Sequence, residues 1–336
     1  MFWRWYPQSR IITGISTTHC PQDSRSDLPV ETKRNQQDAQ TGFRRITAAL
    51  HHHPTAPIPK GELWLGADIL QMAGYEDSLN GRVRLIKHLE QDMLCLPTDM
   101  TSYRHKMLGY RYFTVSAVKE ALAATDLFVM AVIDGPFQRL VEKEGLMAVF
   151  GGWVRDREDV LKAYENERKH VLNLLADCLE YAVHGVVIAD DLAGDTATFL
   201  DPVEIDKHFS HFYIQAVSEI HSGNAVALFH SCGNISKLIP QLIGHGFDGL
   251  AAVQDRANDL LQLKTQYGSR LVLMAGIEGE ILAQNELSLS DLEKLKERCH
   301  FMARDGGFIL SSACGLYAGG FLERIKKIYR SMDSHP

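Results

Sequence analysis

The chain has 336 residues, of which 45% are hydrophobic and 23% are charged. Its 35 Lys and Arg residues are outnumbered by 42 Asp and Glu residues, which gives a formal net charge of −7. These values are typical of a globular protein and argue against a nucleic-acid partner, because phosphate binding needs concentrated positive charge. No apolar run approaches the roughly 18 residues that span a bilayer, so we expect no membrane segment and a cytoplasmic location.

The amino-terminal segment, residues 1–41, is rich in Gln, Asp, Ser, Thr and Arg and shows no helix or strand periodicity. We therefore expect a mobile extension there rather than a folded domain. A short helix is expected from Phe43 to Leu50. The folded domain is expected to cover residues 42–336.

From about residue 58, short β-favouring apolar runs alternate with longer segments of helical periodicity. The expected strands are Glu62–Leu65, Met93–Leu96, Leu127–Ile133, Gly185–Ala189, Ala225–Phe229, Gly249–Val253, Leu271–Ala275 and Phe308–Ser311. Eight strands alternating with helices in a chain of this length favour a single α/β domain, a (β/α)8 or TIM barrel. A doubly wound open sheet is the alternative.

A His-x-Cys pair stands at the end of the fifth predicted strand, where a TIM barrel places its chemistry. His230 and Cys232 are two positions apart, so strand alternation would direct both side chains into the barrel mouth. Imidazole and thiolate are ligands for zinc, and Cys314, after the eighth predicted strand, would supply a third. Three protein ligands leave one coordination position open, as in a catalytic zinc site.

Acidic residues follow other predicted strands, and three of them, Asp190, Asp191 and Glu278, are candidates for catalytic roles. Neighbours in a strand point in opposite directions, so we expect only one of Asp190 and Asp191 to face the mouth. That residue could orient a substrate or cap the following loop. Glu278, and with it Glu62, is a candidate fourth zinc ligand that a substrate would displace.

The remaining ring nitrogen of His230 needs a hydrogen-bond acceptor if the imidazole is to bind metal. Asp190, Asp191 or a backbone carbonyl could supply it. Among the other cysteines, Cys95, Cys178 and Cys299 are expected to be buried small apolar residues.

Several motifs resemble those of the uroporphyrinogen decarboxylase superfamily. They are Asp134-Gly135-Pro136-Phe137, Ala189-Asp190-Asp191-Leu192-Ala193-Gly194, His230-Ser231-Cys232-Gly233-Asn234, Gly246-Phe247-Asp248-Gly249 and Gly276-Ile277. The resemblance covers about residues 43–332 and implies the barrel fold. Within the superfamily the chain is most similar to the cobalamin-dependent methyltransferases, whose pattern implies that His230, Cys232 and Cys314 bind zinc.

The decarboxylases themselves resemble one another in an Arg-rich stretch, M-R-Q-A-G-R, which grips substrate carboxylates. This chain has Lys60-Gly61-Glu62-Leu63-Trp64 in that region. The nearby arginines, Arg82, Arg84, Arg104 and Arg111, are expected to be solvated helix and loop residues.

The resemblance implies a zinc-dependent methyltransferase that moves a methyl group between methylcobalamin, carried by a partner corrinoid protein, and a small thiol bound to zinc. Zinc would stabilise the thiolate and so make the sulfur nucleophilic. Two alternatives remain open. One is a metal-free decarboxylase in which Asp134 or Asp190 handles protons. The other is a family member without catalysis that binds a corrinoid or tetrapyrrole.

Overall fold

The computed structural model describes residues 36–99, 109–284, 286–313 and 315–333, with the backbone alone for residues 36–41. Cys314, Arg104 and residues 1–35 lie outside the described residues, so what we expect of them stays a prediction. The first helix, α1, spans Gln36–Leu50 and begins before the expected start at Phe43. Its first turns are polar, so apolar periodicity could not reveal them.

The core of the fold is one sheet of seven parallel strands among the described residues. The strands are β1 (Met93–Pro97), β2 (Phe128–Asp134), β3 (Gly185–Ala189), β4 (Val226–His230), β5 (Gly249–Val253), β6 (Val272–Ile277) and β7 (Phe308–Ser312). Each strand pairs with the next one along the chain. A doubly wound sheet reverses its strand order at a switch point. The order from β1 to β7 has no reversal, which agrees with a TIM-barrel-like α/β fold.

The first expected strand, Glu62–Leu65, does not form a regular strand. Its surroundings make isolated parallel bridges, Lys60 to Leu310 and Leu65 to Leu316. On the other side, the Asp92 N–H donates to the Lys60 carbonyl at 2.8 Å. The segment therefore lies between β7 and the residue before β1. A regular ladder is interrupted because the Ser312 N–H donates to the Glu62 carboxylate, at 3.1 and 3.2 Å from its two oxygens, rather than to a backbone carbonyl.

Helices separate successive strands of the sheet. They are α2 (Ala67–Met72), α3 (Leu79–His88), α4 (Val115–Ala124), α5 (Pro136–Glu144), α6 (Leu146–Arg155), α7 (Arg157–Glu180), α8 (Pro202–Ser222), α9 (Ile239–Gly244), α10 (Leu260–Tyr267), α11 (Gly279–Ala283), α12 (Leu289–Ala303) and α13 (Leu322–Asp333). Within the described part of the chain, none of the helices combines the length and the apolar character that crossing a membrane requires.

Strand alternation divides the buried side chains between two clusters. In β2, Phe128, Met130 and Val132 join an inner cluster with residues of the other strands. Val129, Ala131 and Ile133 join an outer cluster that includes the helix side chains. Both faces of the sheet are therefore covered, as expected for parallel strands. The same alternation decides which residues at the strand ends point into the mouth.

Three cysteines are buried as expected: Cys95, Cys178 and Cys299. Burial raises the pKa of the Cys178 and Cys299 thiols to about 12, so both remain protonated at neutral pH. They are packing residues, and they offer buried controls for experiments on Cys232.

The expectation of a solvated side chain is wrong for Arg82, which is 1% exposed. Its guanidinium pairs with Asp77 and donates to the Leu65 carbonyl at 3.2 Å. The centroid of the Phe113 ring lies 5.0 Å from the guanidinium carbon, so the Arg82 guanidinium packs against an aromatic ring as well as pairing with Asp77. Arg84 and Arg111 are exposed, as expected. Position 82 lies on the inward face of α3, where apolar neighbours at helical spacing are buried.

A buried carboxyl couples the barrel wall to the last helix. Glu62 accepts hydrogen bonds from Ser312 and, at 2.6 Å, from the Tyr329 hydroxyl of α13. Desolvation outweighs these bonds and raises the pKa of the Glu62 carboxyl to about 7. Below about pH 7 the protonated form of Glu62 therefore predominates in the folded protein.

We expect the contribution of Glu62 to the free energy of unfolding to fall as the pH rises from about 4.5 through 7, because the folded-state pKa of Glu62 lies above the unfolded one. The contribution of Glu62 is on the order of 3 kcal/mol, complete below pH ~4.5 and lost above pH ~7. Glu62→Gln keeps the shape of the neutral acid and should remove the part of the slope that Glu62 contributes, while Asp190, whose pKa burial also raises to about 7, keeps its own part. Urea unfolding at pH 5 and pH 8 measures the slope, and an unchanged slope in the variant would show that Glu62 does not titrate in this range.

Candidate metal centre at the carboxyl ends of the strands

His230 and Cys232 come together where β4 ends. Leu228 belongs to the inner cluster and Val226 packs against it. Strand alternation therefore places the His230 side chain on the same, inner face of the sheet. The His230 side chain is buried and Cys232 is half-buried. The Cys232 Sγ lies 3.9 Å from the His230 Nε2. A tetrahedral zinc ion, with Zn–S about 2.3 Å and Zn–N about 2.0 Å, separates two such atoms by roughly 3.5 Å, so a small adjustment suffices.

The His230 ring is oriented by a backbone carbonyl. Its Nδ1 lies 2.8 Å from the Ala251 oxygen, which can only accept, so Nδ1 carries the proton. The lone pair then resides on Nε2, the nitrogen nearest Cys232, as metal binding requires. Of the acceptors proposed from the sequence, the structure shows the backbone carbonyl.

An irregularity in β5 aims that carbonyl. The pairing of β5 with β6 shifts register between Ala251 and Val253, and the intervening Ala252 has a φ of +51°. Bulges of this kind redirect backbone groups and are common beside functional sites. A residue other than glycine with positive φ is also strained, so the surrounding structure must hold it in place.

Asp191 completes a group of three donors. Its carboxylate, the His230 imidazole and the Cys232 thiol offer atoms that all lie within 4.8 Å of one another. Asp191 Oδ1 also accepts the Cys232 N–H at 2.8 Å. Nitrogen, sulfur and oxygen donors in one small volume fit a zinc ion. Among the described residues, no other three His, Cys, Asp or Glu side chains bring their donor atoms close enough to share an ion.

The loops after β3 and β4 are joined by direct hydrogen bonds. The Leu192 N–H donates to Ser231 Oγ at 3.0 Å, and the Asn234 N–H donates to the Gly194 carbonyl at 2.8 Å. Gly233 has a φ of +83°, and a Cβ there would lie 2.4 Å from the Gly194 oxygen. The close approach of the two loops therefore requires glycine at position 233.

The loop after β5 supports the other side of the turn. The Gly233 N–H donates to Gln254 Oε1 at 2.8 Å, and Asn258 Nδ2 donates to the Gly233 carbonyl at 2.9 Å. Asn258 Oδ1 accepts the Ile235 N–H at 3.1 Å. Sequence reasoning missed Gln254 and Asn258 as supports of the site. Their amides, at and after a strand end, are a weak signal because such residues are common in loops.

Asp190 points away from these donors, into the helix layer. Its two oxygens accept the Gln138 N–H at 2.6 Å and the Tyr213 hydroxyl at 2.7 Å. Burial raises the pKa of the Asp190 carboxyl to about 7 despite these bonds. Gly135 makes room for it, since a Cβ there would lie 2.3 Å from the Asp190 Cγ. Asp190 therefore anchors the start of α5, and its neighbour Asp191 is the one that faces His230 and Cys232.

Glu278 follows β6, and its carboxylate is hydrogen-bonded to backbone N–H groups. Its carboxylate accepts hydrogen bonds from the N–H groups of Asp255 and Arg256, and burial raises its pKa. It does not belong to the group of close donors among the described residues. In this structure Glu278 stabilises the loop after β5, the loop that contains Gln254 and Asn258.

Aromatic rings form one wall of the site. The Trp64 ring meets the His230 ring edge to face with centroids 6.0 Å apart, and Tyr110 lies 5.8 Å from Trp64. Gly315 packs on both, since a Cβ there would lie 2.5 Å from Trp64 Cβ and from the Tyr110 hydroxyl. Trp64 and Tyr110 are 4% and 5% exposed, so this wall shields the imidazole from water.

Comparison with known proteins agrees with the motifs. Residues 84–335, more than half of the chain, match the family described as uroporphyrinogen decarboxylase (URO-D). A relative from Methanosarcina barkeri named methylcobamide:CoM methyltransferase MtaA is 26% identical over 114 residues, which is 34% of this chain and 32% of the relative. A protein of the same name from strain Fusaro is 22% identical over 151 residues, which is 43% of each chain. The matches thus span less than half of these relatives.

Solved structures share the fold at low sequence identity. A methyltransferase from Methanosarcina mazei superposes with a TM-score of 0.68 at 16% identity, covering 87% of this chain and 98% of that one. A putative vitamin-B12 independent methionine synthase from Listeria monocytogenes gives a TM-score of 0.51 at 12% identity, covering 83% and 97%. The resemblance found in the motifs is confirmed by the family match. The chain belongs to the uroporphyrinogen decarboxylase family.

Proposed function

We propose that this protein is a zinc-dependent methyltransferase that moves a methyl group between a corrinoid on a partner protein and a small thiol. The observation that carries the proposal is the pairing of the His230 Nε2 lone pair with the Cys232 thiol, 3.9 Å apart at a strand end. The methyltransferase names of the sequence relatives from Methanosarcina barkeri support the same reaction class.

His230 and Cys232 would hold the ion together with Cys314, which we keep as the predicted third ligand. Gly315, the residue after Cys314, packs on Trp64, and the Trp64 ring contacts His230. Zinc in this position would lower the pKa of an incoming thiol and so make its sulfur nucleophilic at neutral pH. Transfer from a methylated corrinoid to the thiol would form a carbon–sulfur bond with the electron pair of the sulfur while the pair of the carbon–cobalt bond stays with the corrinoid, and transfer to the corrinoid would be the reverse.

The residues of the chain orient the reactants and limit the access of water. The Ala251 carbonyl keeps the His230 ring in one tautomer, and the turn through Gly233 holds Cys232 beside it. Trp64 and Tyr110 cover one side of the His230 imidazole. A rigid, partly dry site of this kind favours transfer over hydrolysis and side reactions.

The decarboxylase alternative requires cations that grip substrate carboxylates. Arg82 is buried and already paired with Asp77, so it cannot also bind a substrate. Arg111 contacts the Asp77 carbonyl and lies over Phe113. Asp134 is buried at the end of β2. It is in register with Ala189 and, through Ala189, with His230, so a proton transfer by Asp134 would take place at the same level of the sheet as His230.

The wild-type protein tests the proposal directly. We expect about one zinc ion per chain by elemental analysis, as for a single catalytic site. We expect thiol-dependent demethylation of methylcobalamin, followed by its visible spectrum, with coenzyme M and homocysteine as probes. Removal of the metal with a chelator should stop the reaction and added zinc should restore it. A folded protein that lacks zinc and binds a porphyrin tightly would favour the decarboxylase instead.

A further inference from the structure

We infer that Asp191 is a ligand of the same zinc ion and occupies the position that the substrate thiol takes over. The inference rests on the proposed function and goes further, because it assigns the ligand that must leave when substrate binds. The sequence alone suggested that Asp191 orients a substrate or caps a loop.

The position of the Asp191 carboxylate is the first observation that supports the inference. Asp191 offers an oxygen within 4.8 Å of both the His230 nitrogen and the Cys232 sulfur. Its Oδ1 accepts the Cys232 N–H at 2.8 Å. A carboxylate has about four lone-pair positions, so accepting this bond leaves it able to coordinate an ion. The same bond holds the carboxylate beside the sulfur of the residue that donates it.

The backbone around Asp191 is held on both sides, which makes the position well defined. Asp190, the preceding residue, is anchored by the Gln138 N–H and the Tyr213 hydroxyl. Leu192, the following residue, donates to Ser231 at 3.0 Å. Alternation between Asp190 and Asp191 therefore sends one carboxyl into the helix layer and the other toward His230 and Cys232. Ligands fixed in this way need little reorganisation to bind metal.

The chemistry of the donor set explains why Asp191 would be the ligand that leaves. Zinc is borderline-soft and accepts sulfur, nitrogen and oxygen donors, so an incoming thiol competes with the hard carboxylate oxygen more easily than with the Cys232 thiolate. When the thiol binds, its S–H bond breaks and the sulfur replaces the carboxylate oxygen. The released Asp191 carboxylate can accept that proton, so charge and atoms balance without any further reactant.

The test uses Asp191→Asn, which keeps an oxygen that can accept the Cys232 N–H but removes the anionic ligand. We expect its zinc affinity, measured by competition with a chromophoric chelator, to fall by more than about 100-fold, beyond the 10–100-fold loss typical when a hydrogen-bond partner of a ligand is replaced. The second readout is the infrared difference spectrum between the zinc-loaded and zinc-free proteins. Wild type should show a shifted carboxylate stretch that Asp191→Asn lacks and that excess coenzyme M reverses.

Asp195→Asn is the matched control, because Asp195 is an exposed acid of the same loop that pairs with Arg256. Its zinc affinity and infrared difference spectrum should equal those of wild type. If wild type binds no zinc, the proposed function itself fails. If wild type binds zinc and Asp191→Asn binds it equally well with the same difference spectrum, the role of Asp191 as a ligand is overturned while the proposed function stands. Circular dichroism of each variant verifies that the fold is retained.

Discussion

Replacing Cys232 by serine is expected to empty the zinc site while leaving the fold intact. A serine hydroxyl is a poor zinc ligand at neutral pH, so the zinc content should fall from about one ion per chain to a small fraction of it. The thiolate form of the substrate would then lose the several kcal/mol of stabilisation that the zinc ion supplies. Methyl transfer should therefore slow by about a thousandfold or more. Elemental analysis and the demethylation of methylcobalamin measure the two effects.

The fold should survive because the turn is held by groups other than the Cys232 sulfur. The Cys232 N–H donates to Asp191, and the Gly233 N–H donates to Gln254. Cys178→Ala is the control, since it removes a buried thiol of the outer cluster that does not belong to the group of close donors, and it should cost stability without changing the zinc content. Full zinc content and full activity in Cys232→Ser would remove the basis of the proposed function.

The arrangement of His230 and Cys232 could be predicted because it depends on local geometry. A strand repeats every two residues, so the phase of β4 puts His230 on the inner face, and Cys232, two residues further on, lies beside it in the turn that Asp191 and Gln254 hold. The same rule predicts that only one of Asp190 and Asp191 faces the mouth. It does not say which one, since that depends on the phase of β3 relative to the barrel interior, which the inner position of Ala189 decides.

The supports of the site could not be predicted because they come from residues distant in the sequence. The carbonyl that orients His230 belongs to Ala251, and it is aimed by a register shift that leaves no clear trace in an apolar run of Gly, Leu, Ala and Val. Gln254 and Asn258 act through contacts with the turn at Gly233. Such contacts follow from tertiary packing, which local periodicity does not encode.

The first predicted strand shows the opposite limit. Its apolar run, Leu63-Trp64-Leu65, predicts burial correctly, since all three side chains are buried. The run does not reveal that the Glu62 carboxylate accepts a hydrogen bond from the N–H of Ser312, a residue 250 positions further along the chain. A buried acid with a distant partner thus replaced part of the expected backbone ladder. Burial could be predicted, whereas the pairing depended on one side chain.

Gly233→Ala is expected to have the largest effect on stability near the site. The φ of +83° at this position is unfavourable for alanine, and the added Cβ would lie 2.4 Å from the Gly194 oxygen and 2.7 Å from the Ala193 carbonyl group. Both contacts are with backbone, which cannot move aside as a flexible side chain could. We expect the free energy of unfolding to fall by about 3 kcal/mol, combining the backbone strain with the contact.

Gly74→Ala separates these two causes. Gly74 has a similar φ of +77° but nothing within 4 Å of its hypothetical Cβ, so its replacement should cost only the backbone strain, about 1–2 kcal/mol. Urea unfolding of the two variants gives the difference that belongs to the contact between the loops. Because that contact positions Cys232 relative to Asp191, Gly233→Ala should also weaken zinc binding by about tenfold or more, whereas Gly74→Ala should leave it unchanged. Equal losses of stability in both variants, with zinc binding intact, would mean that the two loops do not hold the donors together.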